Sequence, residues 1–435
     1  MDIGIIGGGM MGLATAFYLS KAGASVTVFE KNGEIGGLSA SEEIVPGVRW
    51  DRFYHVILTG DDDLLGFLGD IGLSGDIRFS ETRTGFYTDG ALHSMSSTAE
   101  FLKFRPLSLW NKLRLGAGIF YASGMKNAEP LGKIGAEEWL VRVFGRENYE
   151  KMWSPLLGSK LGAAKDRASA FFIWACIARY YGTRQAKDKK EMMGCVSGGY
   201  DRVIKRLRER LEAMGAHISA GCGVDRVMPL ESGELCLQCD NGTSPAFDQV
   251  VATVPNARIA GMWPDMPGAF RGRLAQVEYL SLICVTLVLK RILSPFYVTN
   301  LTDSGFPFTG VIEATHVVPP EILDGKALVY LPRYMVADDP FFSRPDHEVL
   351  AVFLRALRRI FPDFRNEDIL GACVNRASEV QPIQEVGYLE KMPSMETPLE
   401  NFHMVNTAMI SDSTLNNNQV IRLARRMADR LLAGR

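Results

Sequence analysis

The run Asp2-Ile3-Gly4-Ile5-Ile6-Gly7-Gly8-Gly9-Met10-Met11-Gly12-Leu13-Ala14-Thr15-Ala16-Phe17-Tyr18-Leu19-Ser20-Lys21-Ala22-Gly23-Ala24-Ser25-Val26-Thr27-Val28-Phe29-Glu30 decides the fold. A short apolar strand, Asp2–Ile6, leads straight into G-x-G-x-x-G. An amphipathic helix follows through Leu13, Ala16, Phe17, Leu19 and Ala22, and Gly23 stops it. Ser25–Phe29 reads as a second strand ending on the acid Glu30. Gly7 allows the tight turn, Gly9 lets a pyrophosphate approach the backbone, and Gly12 permits close helix–strand packing. The N–H groups at the helix start, from Met10 and Met11 onward, then face the phosphates. Glu30 accepts hydrogen bonds from ribose hydroxyls and repels a 2′-phosphate. Strand, helix and acid are in register, so the reading is a Rossmann-type dinucleotide fold.

The next residues are Lys31-Asn32-Gly33-Glu34-Ile35-Gly36-Gly37-Leu38-Ser39, with a Gly-Gly pair shortly after the acid. Here the chain resembles the FAD-binding superfamily of flavin amine oxidases, protoporphyrinogen oxidases, phytoene-desaturase-like enzymes and UDP-galactopyranose mutases. Their fingerprint is followed by E-x-x-x-x-x-G-G-R, and Leu38 stands here where the arginine usually stands. The resemblance implies FAD as cofactor, with Lys31, Gly36, Gly37, Leu38 and Ser39 beside it. It also implies an α/β (α+β overall) chain: a discontinuous Rossmann-like FAD domain of the glutathione-reductase type, a mixed-sheet substrate domain and a helical insertion. The expected boundaries are 1–80, 190–275 and 381–435 for the FAD domain, 81–95 and 276–380 for the substrate domain, and 96–189 for the insertion.

Later segments follow the order of that family. Ser197-Gly198-Gly199-Tyr200 precedes a cationic helix, Arg202–Met214, and then the strand pattern Val224-Asp225-Arg226-Val227. Phe247–Pro255 returns as a strand, and Phe402–Ala408 as another, before a helix from about Gln419 to Leu432. The resemblance places the Val224 backbone at the adenine and Thr253 and Pro255 beside the cofactor. It places Asn406 or Thr407 at the ribityl chain and the helix start, Asn418 and Val420, at the flavin pyrimidine ring. A positive helix end there stabilises the charge of reduced flavin. The asparagine cluster also reads as a plain N-cap. Most relatives carry Gly-Asp or Gly-Glu near Asn406 and this chain does not, which brings it nearer to protoporphyrinogen-oxidase-like proteins. With no cysteine near this segment, non-covalent FAD is expected.

Within the insertion, helices are expected at Leu107–Tyr121, Ala136–Phe144, Tyr149–Leu161 and Ala168–Tyr181. Tyr279–Val380 reads as strands around Pro-rich turns, with a helix at Asp346–Ile360. Leu107–Leu115 is apolar with interleaved cations. Core-facing amphipathicity is the first reading of it, and an interfacial helix touching a membrane the second.

Catalytic candidates follow the Gly-Gly turn. In Asp51-Arg52-Phe53-Tyr54-His55, His55 reads as a proton relay or substrate hydrogen-bond donor, or equally as a satisfied, partly buried histidine. Tyr54 is the secondary candidate. Setting Ser281-Leu282-Ile283 against the substrate-domain strand puts Cys284 where flavin amine oxidases carry a lysine, which argues against a plain amine oxidase. Arg376 and Gln381-Pro382 are expected to line the pocket.

The bulk composition adds exclusions. Over 435 residues the formal net charge is −2, with 23% charged and 47% hydrophobic residues, which gives no electrostatic basis for nucleic acid. Seven scattered cysteines imply no disulfide framework and fit a reducing cytoplasm. Cys236 and Cys239 fall on a strand pattern, pointing to opposite faces, so no metal site is expected. Ile3–Ser20 is uncharged but broken by glycines and preceded by Asp2, so neither span nor signal is read there. The expectation is a cytoplasmic FAD oxidoreductase, at most peripheral to the inner face of a membrane, acting on a small, hydrophobic or lipid-linked molecule. A redox-neutral sugar mutase is the alternative, and a binder without flavin chemistry the third.

Overall fold

The computed structural model describes residues 1–182 and 191–434. The close of the expected insertion and the start of the second FAD-domain segment, residues 183–190, lie outside the described residues.

Five parallel strands form the first sheet: β1 (Asp2–Ile6), β2 (Ser25–Glu30), β3 (His217–Ala220), β4 (Gln249–Ala252) and β5 (Phe402–Met404). Their order is β3-β2-β1-β4-β5. Strand order reverses beside β1, and the ends of β1 and β4 open a crevice there, the place where such sheets bind ligands. The Met10–Lys21 helix packs on the Asn417–Ala433 helix, so residues more than four hundred positions apart share one core.

A seven-stranded mixed sheet forms the second layer. Its order is 369–382, 279–289, 327–336, 310–313, 298–301, 84–88 and 91–94. Tyr279–Leu289 is buried at every position because both faces of the sheet are covered. Ile283, Val285, Leu287 and Leu289 meet Val349, Phe353 and Leu357 of the Asp346–Ile360 helix. Leu282, Cys284 and Val288 face Trp50 and Phe53 on the other side.

Helices at Leu109–Ser123, Ala136–Phe144, Ser154–Leu161 and Ala170–Gly182 enclose a separate core around Trp139, Phe144 and Phe172. Three of the expected helices begin later than the pattern suggested, the Ala170–Gly182 helix by two residues and the other two for identifiable local reasons. Ser108 caps the first, accepting from Asn111 N. Tyr149–Trp153 forms a π-turn ahead of Ser154–Leu161, where Pro155 has no N–H to give.

The first reading of Leu107–Leu115, as a core-facing amphipathic stretch, holds only in part. Leu107 and Leu115 are buried, but Leu109, Trp110 and Leu113 point outward, so the stretch faces the core only in part. Cys236 and Cys239 do alternate, Cys239 joining the core with Leu235 and Leu237 while Cys236 Sγ donates to Ser244 O. All seven cysteines are free.

Candidate functional site

The first part of the site is a backbone cradle. A Cβ on Gly12 would lie 1.9 Å from Gly7 O, far inside van der Waals contact, so only glycine lets the helix approach β1 this closely. Gly9 differs: a Cβ there would meet only Gly37 Cα, at 3.9 Å, and would fill otherwise open space. Gly9 begins the Met10–Lys21 helix, offers no side-chain cap, and no acid lies in the first turn. The first N–H groups of a helix lack intrahelical acceptors, so those of Met10, Met11 and Gly12 point into a space shaped for an anion. Gly36 N donates to Gly8 O at 2.8 Å, tying the Gly-Gly turn to the cradle.

Glu30, 7% exposed, is held by its surroundings. Gly8 N donates to Oε2 at 2.9 Å, while Asn32 N and Nδ2 donate to Oε1 at 3.0 and 2.7 Å. Oε1 thus takes two donors, and Oε2, with one, keeps acceptor capacity for a ribose hydroxyl. Cys222 N donates to Glu30 O, which brings Val224 against the end of β2. Lys31 is exposed. Leu38 packs partly against the Trp50 cluster, and Ser39 Oγ accepts from Asn417 Nδ2 at 3.3 Å.

Several sequence-predicted residues are near the cradle but have their side chains committed. Thr253 Oγ1 donates to Ile6 O and Gly7 O, fixing the turn from beneath. Asn406 Nδ2 donates to Val254 O and Asn256 Oδ1, while its Oδ1 accepts from Ala408 N, so it locks the Thr407–Met409 turn to the loop at Pro255. Asn416 caps its own helix, and Asn418 Oδ1 accepts from Leu64 N at the start of the Asp62–Asp70 helix. The Asn418 amide oxygen is therefore committed to the Asp62–Asp70 helix. The cradle, the held acid and the uncapped helix end fit FAD.

The second part is a cavity walled by Asp51, Tyr54, His55, Tyr200, Tyr297 and Tyr330. Asp51, 3% exposed, accepts from Ser41 Oγ and Tyr200 N, both at 2.9 Å. Its Oδ2 lies 3.6 Å from His55 Nδ1, a buried nitrogen with no hydrogen-bond partner. The His55 ring packs 4.7 Å from Tyr200, and Tyr330 OH donates to Asp51 O at 2.6 Å. Burial pushes the Tyr54, Tyr200 and Tyr330 hydroxyls well above the usual tyrosine range, so all three stay neutral. Cys284 sits fully buried among the same cluster as Trp50 and Phe53, with its thiol raised by burial. Arg376 does not reach the cavity: it donates to Phe342 O and Arg344 O and pairs with Asp346. Gln381 is buried and accepts from Leu415 N. Sequence reading missed Asp51 as a partner of His55, although the i, i+4 spacing was visible.

Comparison with known proteins agrees with this architecture. The profile of the flavin containing amine oxidoreductase family matches residues 10–430. The chain belongs to that family. It is an FAD-dependent oxidoreductase, as the family and its oxidase relatives show. Coproporphyrinogen III oxidase of Bacillus subtilis (strain 168) is 22% identical over 91% of this chain and 90% of its own length. The 15-cis-phytoene desaturase of Capsicum annuum is 20% identical over 93% of this chain and 73% of its own. A putative protoporphyrinogen oxidase from Exiguobacterium sp. 255-15 has the same fold, with a TM-score of 0.79 at 18% identity, covering 100% of this chain and 99% of that one. Among the described residues, no helix is long and apolar enough to cross a membrane, and no cluster suits a metal ion.

Proposed function

We propose that this oxidoreductase takes a hydrophobic or lipid-linked donor into the cavity beside His55. The observation that carries the reading is His55 Nδ1, buried and unpartnered 3.6 Å from the Asp51 carboxylate in a wall of neutral tyrosines. A relative named 15-cis-phytoene desaturase, matched over 93% of this chain, supports an apolar donor.

The dinucleotide is held non-covalently by Gly7, Gly9, Met10, Met11 and Gly12 through backbone N–H groups and by Glu30 through its carboxylate. Lys31, Gly36, Gly37, Leu38 and Ser39 close the turn above it. Val224, Thr253, Pro255, Asn406, Thr407, Asn418 and Val420 supply backbone and support. Bound FAD supplies the hydride acceptor for a C–H or N–H bond and is reoxidised by oxygen or a quinone. His55 holds or moves the accompanying proton, and Asp51, 3.6 Å from Nδ1, comes within hydrogen-bond reach of it by a small shift. Tyr54 closes the wall and excludes water, with neutral Cys284 as packing in the same wall.

The test is the visible spectrum of the purified protein before and after acid denaturation, followed by anaerobic titration with apolar donors. Two flavin bands that pass into the acid supernatant and bleach on donor addition are expected. A colourless protein that takes up no FAD overturns the reading in favour of a binder. Turnover of a sugar nucleotide only after dithionite reduction, without net oxidation, overturns it in favour of a mutase.

A second reading, peripheral membrane contact, is favoured by the Leu109–Ser123 helix. Trp110 and Phe120 are each 71% exposed, and Leu109, Leu113 and Tyr121 lie on the same outer face. The helix contains no acid, and exposed Lys103, Arg105 and Lys126 flank it. A contiguous apolar face with cationic ends suits an anionic lipid surface.

A further inference from the structure

Lys160, near the end of the Ser154–Leu161 helix, is a partly buried cation without a counter-charge. Its Nζ lies 3.5 Å from the centroid of the Tyr334 ring. Among the described residues it has no hydrogen bond and no carboxylate partner. Lys112, also in the insertion, is satisfied by Leu102 O at 2.7 Å.

Tyr334 OH and Tyr54 OH are 3.0 Å apart, and Tyr54 is a wall of the cavity beside His55. One hydroxyl of that pair donates to the other, which leaves the second O–H free to donate elsewhere. An ammonium over one face of the Tyr334 ring and a free hydroxyl of the tyrosine pair therefore lie close together, and among the described residues no carboxylate pairs with the ammonium. The surroundings are confined. Tyr54, Cys176 and Tyr334 each keep accessible surface, yet burial raises the Tyr334 hydroxyl to about 12 and the Cys176 thiol to about 11. Burial disfavours the charged form of each of these groups and is the main cause of both shifts. Arg179, the other cation acting on Cys176, is paired with Asp61, whereas Lys160 has no carboxylate partner among the described residues.

We propose that Lys160, with the Tyr54–Tyr334 hydroxyl pair, is an anion-recognition site for a carboxylate carried by an otherwise apolar substrate. The proposal rests on the cavity reading above and deepens it. A donor sheet with no acceptor binds an oxyanion by charge-assisted hydrogen bonds, strengthened where water is excluded. The same ammonium repels a protonated amine, so within an amine oxidoreductase family the site selects against cationic substrates.

The test is calorimetric titration of the FAD-loaded protein at pH 7 with 2-naphthoate and with its neutral isostere 2-naphthamide. Wild type is expected to prefer the carboxylate by about tenfold, the size of one charge-assisted hydrogen bond. Lys160→Met is expected to abolish that preference while naphthamide affinity and the flavin spectrum stay unchanged, and Lys160→Arg to restore it. A preference that survives in Lys160→Met, or equal affinities in wild type, overturns the anion site but leaves the apolar cavity standing. Binding of neither compound to wild type overturns both.

Discussion

In the cradle from Gly7 to Gly37, the groups that matter are backbone N–H and C=O, drawn from a span of about thirty residues and fixed by strand pairing. In the cavity around His55 they are side chains, drawn from segments near 51, 200, 297 and 330 and oriented by packing. The cradle carries one held charge, Glu30, tied by three N–H donors. The cavity carries a histidine and a carboxylate that stop short of each other. A backbone site is rigid and nearly independent of pH; a side-chain site has protons to move and a geometry that small shifts can close.

The largest expected effect tests how far the cradle tolerates bulk. Gly12→Val drives a side chain into Gly7 O and is expected to purify without flavin, with FAD affinity lower by more than about a hundredfold, since overpacking of this kind costs several kcal/mol. Retention of a normal flavin spectrum would show that the helix can move away from β1. His55→Ala acts on the cavity alone. Flavin content is expected to be unchanged while the rate of anaerobic flavin reduction falls by about 10²–10⁴-fold, the usual range for a positioned acid–base group. Loss of FAD in that variant would break the separation between the two regions.

A third measurement concerns the face farthest in character from either. Trp110→Ser with Phe120→Ser is expected to reduce sedimentation with anionic vesicles by at least about tenfold, given the apolar area removed. Flavin content and reduction by a soluble donor should not change; equal vesicle binding by the double variant would sink the membrane contact.

The smallest effect concerns Glu313 in the second sheet, 1% exposed and accepting from Leu293 N and Ser294 Oγ. Burial raises its carboxyl to about 7, outweighing those hydrogen bonds. The native state therefore binds more protons than the unfolded chain between about pH 4.5 and 7. The stability this group contributes is complete below about 4.5 and is lost as pH rises through about 7, amounting to about 3 kcal/mol at most. Thermal unfolding at pH 5 and pH 8 should show a smaller fall in Tm for Glu313→Gln than for wild type. Parallel falls would mean that Glu313 stays ionised throughout.

What could be read from the sequence follows the same division. Gly7, Gly9, Gly12 and Glu30 were legible because their roles are local and set by backbone geometry. Ala136–Phe144 and Asp346–Ile360 were legible to the residue because each carries a clean helical period. Asn406 and Asn418 lie in the expected segments, but their amides turn to Val254 and Leu64, partners no local pattern announces. Arg376 was misplaced because strand alternation alone does not say which face holds the cavity. Leu109, Trp110 and Leu113 looked like core, because hydrophobic periodicity marks a face without naming what covers it. Lys160 carried no signal at all; its meaning depends on Tyr334, brought to it by the second sheet.

The first sheet takes β1 and β2 from the opening thirty residues, β3 and β4 from the middle, and β5 from residues 402–404, with the Asn417–Ala433 helix closing over the Met10–Lys21 helix. On the ribosome, the Gly7–Gly12 turn therefore emerges long before the edge strand and helix that complete its layer. Until then, the parallel pairing of β1 and β4 leaves an open edge beside a half-covered apolar face. With the proposed flavin contacts of Asn406, Thr407, Asn418 and Val420, cofactor loading belongs after the docking of this last segment, and shortening the chain at about residue 400 should leave a polypeptide that collapses without colour.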